Sequence, residues 1–66
     1  MSAGRQRHWQ VQALVDTGDG VIRSKTQTVM TRSRDELTAQ RMFKELCDDL
    51  DWTFEEFIEI ELIKEV

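Results

Sequence analysis

Residues 57–66, FIEIELIKEV, decide the fold. Wound as a helix, Phe54, Phe57, Ile58, Ile60, Leu62 and Ile63 would scatter around the whole circumference. Drawn out as a strand, Ile58, Ile60 and Leu62 share one side while Glu59 and Glu61 share the other. Period-two alternation carried by β-branched isoleucine outweighs the generic helix preference of glutamate, so the stretch predicts a strand over about 57–65. The question it poses is whether those glutamates merely face water or form a surface for something else.

Working outward, the same period appears near the other end. In HWQVQALVD (8–16), Trp9, Val11, Ala13 and Val15 point one way and His8, Gln10, Gln12 and Leu14 the other, which predicts a strand over about 7–15 with one buried face. TGDG (17–20) supplies glycines for positive φ and reads as a turn. VIRSKTQTVMT (21–31) is rich in β-branched residues and completes a β-hairpin. Its middle, RSKTQT (23–28), is polar on both sides, which suits a sheet edge.

The period changes at SRDE (33–36). Ser33 with Glu36 matches a capping box, and Asp35 and Glu36 suit the positive start of a helix. Ala39, Met42, Phe43, Leu46, Cys47 and Leu50 then form one stripe at helical spacing, predicting a helix over about 34–51. Arg41, Lys44, Glu45 and Asp48 fall opposite, with Lys44 and Asp48 spaced for an i,i+4 ion pair. Leu37 lies off the stripe and is expected to cover the end of the hairpin. No glycine marks the helix stop, and Asp48, Asp49 and Asp51 gather where negative charge is disfavoured. Thr53 and Glu56 offer a second capping box, so a short helical turn is expected at TFEE (53–56).

The order strand, strand, helix, strand gives an α+β, ββαβ domain over 7–66. A right-handed crossover through the helix sets the third strand parallel to the second and antiparallel to the first. The expected sheet order is 2-1-3, with the helix on one face. The expected core is Trp9, Val11, Ala13, Val15, Ala39, Met42, Phe43, Leu46, Leu50, Ile58, Ile60 and Leu62. The uncovered face is expected to show Gln10, Gln12, Leu14, Glu59, Glu61 and Ile63, with Phe57. Residues 1–6, MSAGRQ, read as a flexible lead.

Composition bounds the function. A 66-residue chain buries only about 60% of the surface its unfolded form exposes. One cysteine, Cys47, excludes an intrachain disulfide, and Cys47 with the single histidine, His8, is too little for a structural zinc site. A lone thiol points to a reducing, cytoplasmic setting. No apolar run reaches the roughly 20 residues of a membrane span, and no signal-peptide pattern opens the chain. His8 reads as a surface residue and Cys47 as a core thiol, so an enzyme, which needs an oriented acid–base pair or nucleophile in a pocket, is not expected. DTGDG (16–20) lacks the further ligands of an EF-hand loop, no phosphate-binding loop is present, and no cofactor is expected.

Charge is uneven. Residues 1–34 hold six basic and two acidic side chains, net +4, whereas residues 35–66 hold three basic and eleven acidic, net −8. Two binding readings follow, beside the plain one that the charge only solubilises. The first is a protein-binding module whose acidic tract, Asp48, Asp49, Asp51, Glu55, Glu56, Glu59 and Glu61, meets a basic partner surface. The alternative is a small nucleic-acid-binding regulator whose hairpin and lead supply Arg5, Arg7, Arg23, Lys25, Arg32 and Arg34, although the overall charge of −4 opposes it. Trp9 fits a core plug better than a base-stacking ring. A homodimer through the open sheet face or a strand edge, burying Leu14, Phe57 and Ile63, is a third arrangement.

From HWQV through SRDEL to IEIELI, the layout resembles small phage-encoded inhibitors of host machinery: the RNA-polymerase inhibitor of T7-like phages and some anti-CRISPR proteins. The resemblance is one of topology, size and acidity, and carries no single residue over. It implies binding without catalysis, with an acidic face occluding a basic, nucleic-acid-facing site on a larger protein. The basic hairpin departs from a purely acidic decoy.

Overall fold

The computed structural model describes residues 6–65. Two antiparallel strands, β1 (Arg7–Asp16) and β2 (Ile22–Thr31), precede helix α1 (Glu36–Asp49) and a long strand β3 (Thr53–Glu65). The sheet order is β2-β1-β3, with β1 antiparallel to both neighbours. The expected ββαβ topology is therefore present, and the helix covers one face. Residues 1–5 of the expected lead lie outside the described residues. Among the described residues no helix is long and apolar enough to cross a membrane.

The hairpin turn is built by its aspartates. Asp16 Oδ1 accepts from the amides of Gly18 and Gly20 at 2.8 and 3.1 Å, and both glycines have positive φ, at 116° and 82°. Asp19 Oδ1 accepts from the Val21 amide at 3.0 Å, and Arg23 donates to Asp19 Oδ2 at 2.6 Å. The Val21 amide first, and the Arg23 guanidinium second, hold the Asp19 carboxyl below the usual carboxylate range.

The core sits between one face of the sheet and one stripe of the helix. Trp9, Val11, Ala13 and Val15 of β1 are buried, as their alternation requires, with Val29 of β2 opposite Trp9. Ala39, Phe43 and Cys47 come down from α1. Met42 and Leu50, expected inside, are exposed. Met42 faces the margin between α1 and β2, and Leu50 is the C-cap, where the chain leaves the helical path. Leu37 is also exposed rather than covering the hairpin's end.

Both ends of the helix differ from expectation. Asp35, not Ser33, is the N-cap: its carboxylate accepts from the Leu37 amide at 3.0 Å, while the Ser33 hydroxyl accepts from the Asp35 amide at 2.9 Å. At the other end Trp52 N–H donates to the Cys47 carbonyl at 2.8 Å and Asp51 N–H to the Asp48 carbonyl at 3.2 Å. That pair of bonds is a Schellman motif, with Asp51 in the left-handed conformation at φ 59°. Trp52 then packs against the core. The motif turns the chain straight into β3, so the expected helical turn at residues 53–56 is strand instead.

β3 carries thirteen residues along ten of β1. The register absorbs the excess in three β-bulges, between His8 and Trp9, Gln12 and Ala13, and Leu14 and Val15. Each slip resets which side chains face the helix. Leu62 and Ile60 lie opposite Trp9 and Val11, but past the second bulge Phe57 lies opposite Ala13, and past the third Phe54 lies opposite Val15. Phe57, expected on the uncovered face, therefore packs on the core side. Ile58, expected in the core, is displaced into a bulge and exposed. Leu62 is also exposed. At 1.5 Å per residue the helix spans about 21 Å of strands about 33 Å long, and Leu62 lies near their far end.

Phe54 and Phe57 meet Phe43 of α1, with centroid separations of 6.3 and 5.8 Å, and each other at 4.5 Å. The Lys44 ammonium lies over Phe54 and Phe57, 5.1 and 5.8 Å from their centroids. Lys44 thus caps this aromatic cluster and does not form the expected ion pair with Asp48; the ion pairs among the described residues are Arg7–Glu65, Arg34–Glu65 and Arg23–Asp19.

At the sheet end opposite the hairpin turn, the core closes in a polar relay. Trp9 Nε1–H donates to Thr31 Oγ1 at 2.8 Å, and the Thr31 hydroxyl donates to the Ser33 carbonyl at 2.7 Å. Thr31→Val keeps the shape and removes both bonds. Stability to urea is expected to fall by about 1–3 kcal/mol, while Thr31→Ser retains most of it. Asp51→Gly relieves the left-handed residue and removes a negative charge from the helix end. It is expected to raise the urea midpoint, by about 0.5–1 kcal/mol of stability.

Candidate functional site

The face of the sheet away from the helix is built by the outward residues of all three strands. Gln10, Gln12 and Leu14 of β1 lie opposite Glu61, Glu59 and Glu56 of β3, and opposite Thr28, Thr26 and Ser24 of β2. The bulges keep this set in phase: each slip that brings a phenylalanine to the core returns a glutamate to the open side. Gln10, Gln12, Glu59 and Glu61 line a shallow depression of about 70 Å³. Gln12 Nε2 donates to Ser24 Oγ at 2.8 Å, tying the depression to β2.

The electrostatics of this face are one-sided near its centre. Glu59 and Glu61 are two residues apart on one side of one strand, about 7 Å along it. Neither they nor Glu56 have a cation within ion-pairing distance among the described residues. Lys64 sits at the end of the row, opposite His8. The face is polar throughout its middle, made of carboxylates, amides and hydroxyls.

The acidic tract expected from the sequence is therefore divided. Glu56, Glu59 and Glu61 come together on the open face. Glu55 is the extra residue of a bulge. Asp48, Asp49 and Asp51 stand at the end of α1, on the helix-bearing side of the sheet. Asp51 there serves the helix stop, and Asp49 borders a groove beside β2.

The basic residues are divided between the two ends of the hairpin, with Arg7, Arg32 and Arg34 gathered near Glu65 and Arg23 and Lys25 toward the turn. Arg5 lies outside the described residues. Arg7 is buried, with Nε on Glu65 Oε1 at 3.0 Å and Nη1 on the Arg32 carbonyl. Arg34 approaches the same Glu65 oxygen at 3.8 Å, and Arg32 is exposed nearby. Arg23 is held by Asp19, and Lys25 lies opposite Ala13, on the helix side of β2. In the hairpin register Arg23 and Arg7 stand eight positions apart, opposite Val15 and Thr31, about 26 Å along the ribbon. Trp9 is in the core with its indole N–H bonded, not presented to a base. The apolar patch of Leu14, Phe57 and Ile63 is likewise not assembled, because Phe57 faces the helix.

Among the described residues no group of three His, Cys, Asp or Glu side chains is placed to hold a metal ion. Cys47 is buried, and burial first, then the neighbouring Asp48 charge, pushes its thiol above the ordinary range. Sequence reasoning missed the groove between β2 and α1, lined in part by Met30, Met42 and Leu46. The signal was Met42, assigned to the core stripe, with Met30 at the end of a strand read as an edge. Comparison with protein-family models, curated proteins and solved structures finds no match for this chain.

The Cys47 geometry has a direct readout. In the folded protein Cys47 is expected to react with a disulfide reagent at least about a hundredfold more slowly than in urea, since both access and thiolate fraction are low. A native rate equal to that of the unfolded chain would contradict its placement beneath the helix.

Proposed function

We propose that the chain is a non-enzymatic, cytoplasmic protein-binding module that sets its open sheet face against a basic surface of a larger protein. The observation that carries this reading is the row Glu56, Glu59 and Glu61, side by side on the uncovered face without a countering cation at ion-pairing distance. Such a row attracts lysine and arginine side chains, and the amides of Gln10 and Gln12 and the hydroxyls of β2 offer hydrogen bonds around it. A negatively charged sheet face competes with phosphate for a nucleic-acid-facing surface. That is how the resemblance to small phage-encoded inhibitors, including anti-CRISPR proteins, would operate here. The divided arginines favour this reading over a nucleic-acid-binding hairpin.

The test is capture of partner proteins from lysate by the full chain, compared with Glu59→Lys/Glu61→Lys. The captured protein is expected to have a basic, nucleic-acid-binding surface, to be displaced by duplex DNA, and to bind the double variant about a hundredfold more weakly, since like charges then face each other. Capture that is unchanged by the reversal removes the proposal. Direct DNA binding by the chain itself, abolished by Arg23→Ala and Lys25→Ala, would replace it with the nucleic-acid reading.

A further inference from the structure

A second surface lies along the margin of the sheet, where the outer edge of β2 meets α1. Thr28, Val29 and Met30 form one wall of an open groove of about 320 Å³. Met42, Leu46 and the acidic pair Glu45 and Asp49 form the other. Met30 is 50% exposed and Met42 38% exposed, a large apolar exposure for a margin of so small a fold. A neighbouring hollow, also about 320 Å³, shares both methionines and continues the groove toward Arg32.

Three features of this groove act together. β2 pairs with β1 on one side only, so alternate backbone N–H and C=O groups along its other side have no strand to bond. That edge is regular: β1 and β2 stay in register over ten residues without a bulge, whereas the ladder of β3 is broken three times. The helix rim above it carries Glu45 and Asp49 one turn apart, with no cation at ion-pairing distance among the described residues.

We propose that this groove receives an extended segment of another protein, added to β2 as a fourth strand, with an apolar side chain seated on Met30, Met42 and Leu46 and a lysine or arginine beyond it reaching Glu45 and Asp49. Strand addition takes its affinity from main-chain hydrogen bonds and its selectivity from alternate side chains. Methionine walls adapt to the shape of the apolar residue. Charge chooses the occupant. A second copy docking its own β2 about a two-fold axis at Thr28–Met30 would bring two Glu45–Asp49 pairs toward that axis, whereas a basic segment answers them. The groove borders the open face along β2, where Thr28 belongs to both, but it lies across β1 from the Glu59–Glu61 row, and the inference does not depend on the function proposed for that row.

The test is selection of random dodecapeptides displayed on phage against the immobilised full chain, followed by amide chemical-shift mapping with the enriched peptide. Enriched sequences are expected to share an apolar residue followed within a few positions by lysine or arginine, and to shift amides of β2 and α1. Met42→Glu is expected to weaken binding by about tenfold or more. Glu45→Lys/Asp49→Lys, both at exposed positions, is expected to reverse the selected charge to aspartate or glutamate while keeping the apolar residue. Glu59→Lys/Glu61→Lys should leave the peptide affinity unchanged, which separates this site from the open face. The proposal is overturned by any of four outcomes. These are no enrichment over the starting library, shifts confined to the open face, an unaltered basic preference in the charge-reversed variant, or a concentration-dependent dimer whose β2 and α1 amides move on dilution.

Discussion

The pairing of β3 with β1 is the constraint on which the rest depends. Thirteen residues must run beside ten, and a strand that kept strict alternation could not turn both Phe57 and Phe54, three positions apart, toward the helix above them. The three bulges solve this locally. Each leaves one residue out of the ladder, and the second and third let the next inward position be aromatic. Both the core and the open face follow from that register, because the same slips that turn phenylalanines inward keep Glu56, Glu59 and Glu61 aligned outward. A one-residue shift anywhere along β3 would exchange the two sets.

A domain this small has few buried residues with which to fix its register, and it uses different chemistry at its two ends. Near the helix C-terminus the contact is aromatic: Phe43, Phe54 and Phe57 meet at tilted and edge-on angles, and the Lys44 ammonium closes the top. Near the helix N-terminus it is polar. Trp9, Thr31 and Ser33 form one chain of hydrogen bonds, and Arg7 joins Glu65 and the Arg32 carbonyl in another. These polar links are directional and span the ends of all three strands. They specify where the strands stop, which apolar contact alone does weakly.

Much of this was legible in the sequence. The alternation of Trp9, Val11, Ala13 and Val15 placed β1, the isoleucine–glutamate repeat placed β3, and the helical stripe placed Ala39, Phe43 and Cys47 inside. What was not legible required a partner far along the chain. Arg7 reads as a charged residue at the start of a strand, free to meet nucleic acid, until Glu65 is beside it, 58 positions away. The bulge between Gln12 and Ala13 has no residue signature; it leaves Ile58 exposed and brings Phe57 against Phe43, a contact made across the fold. Asp51 in the left-handed conformation was missed because aspartate enters that region far less readily than glycine, so the Schellman stop looked like the start of a helix. The open face was half legible: Glu59, Glu61, Gln10 and Gln12 followed from period two, while the absence of Phe57 from it did not.

The separation of charge in the folded chain differs from its separation along the sequence. The basic half does not become a basic face, because Arg7 and Arg34 turn to Glu65, and Arg23 turns to Asp19. The acidic half keeps its excess, since β3 and the end of α1 hold far more carboxylates than nearby cations can pair with. Carboxylates without protein partners are repelled by one another and remain stable only while water solvates them. They are displaced from water at little cost only by a surface that supplies cations in return. Under the two proposals the acidic patches would set the same demand from different sides: a broad basic surface for the glutamate row, and a narrow basic strand for the groove beside β2. The backbone edge, open beside β2 and broken by bulges along β3, is what makes those two demands different in shape.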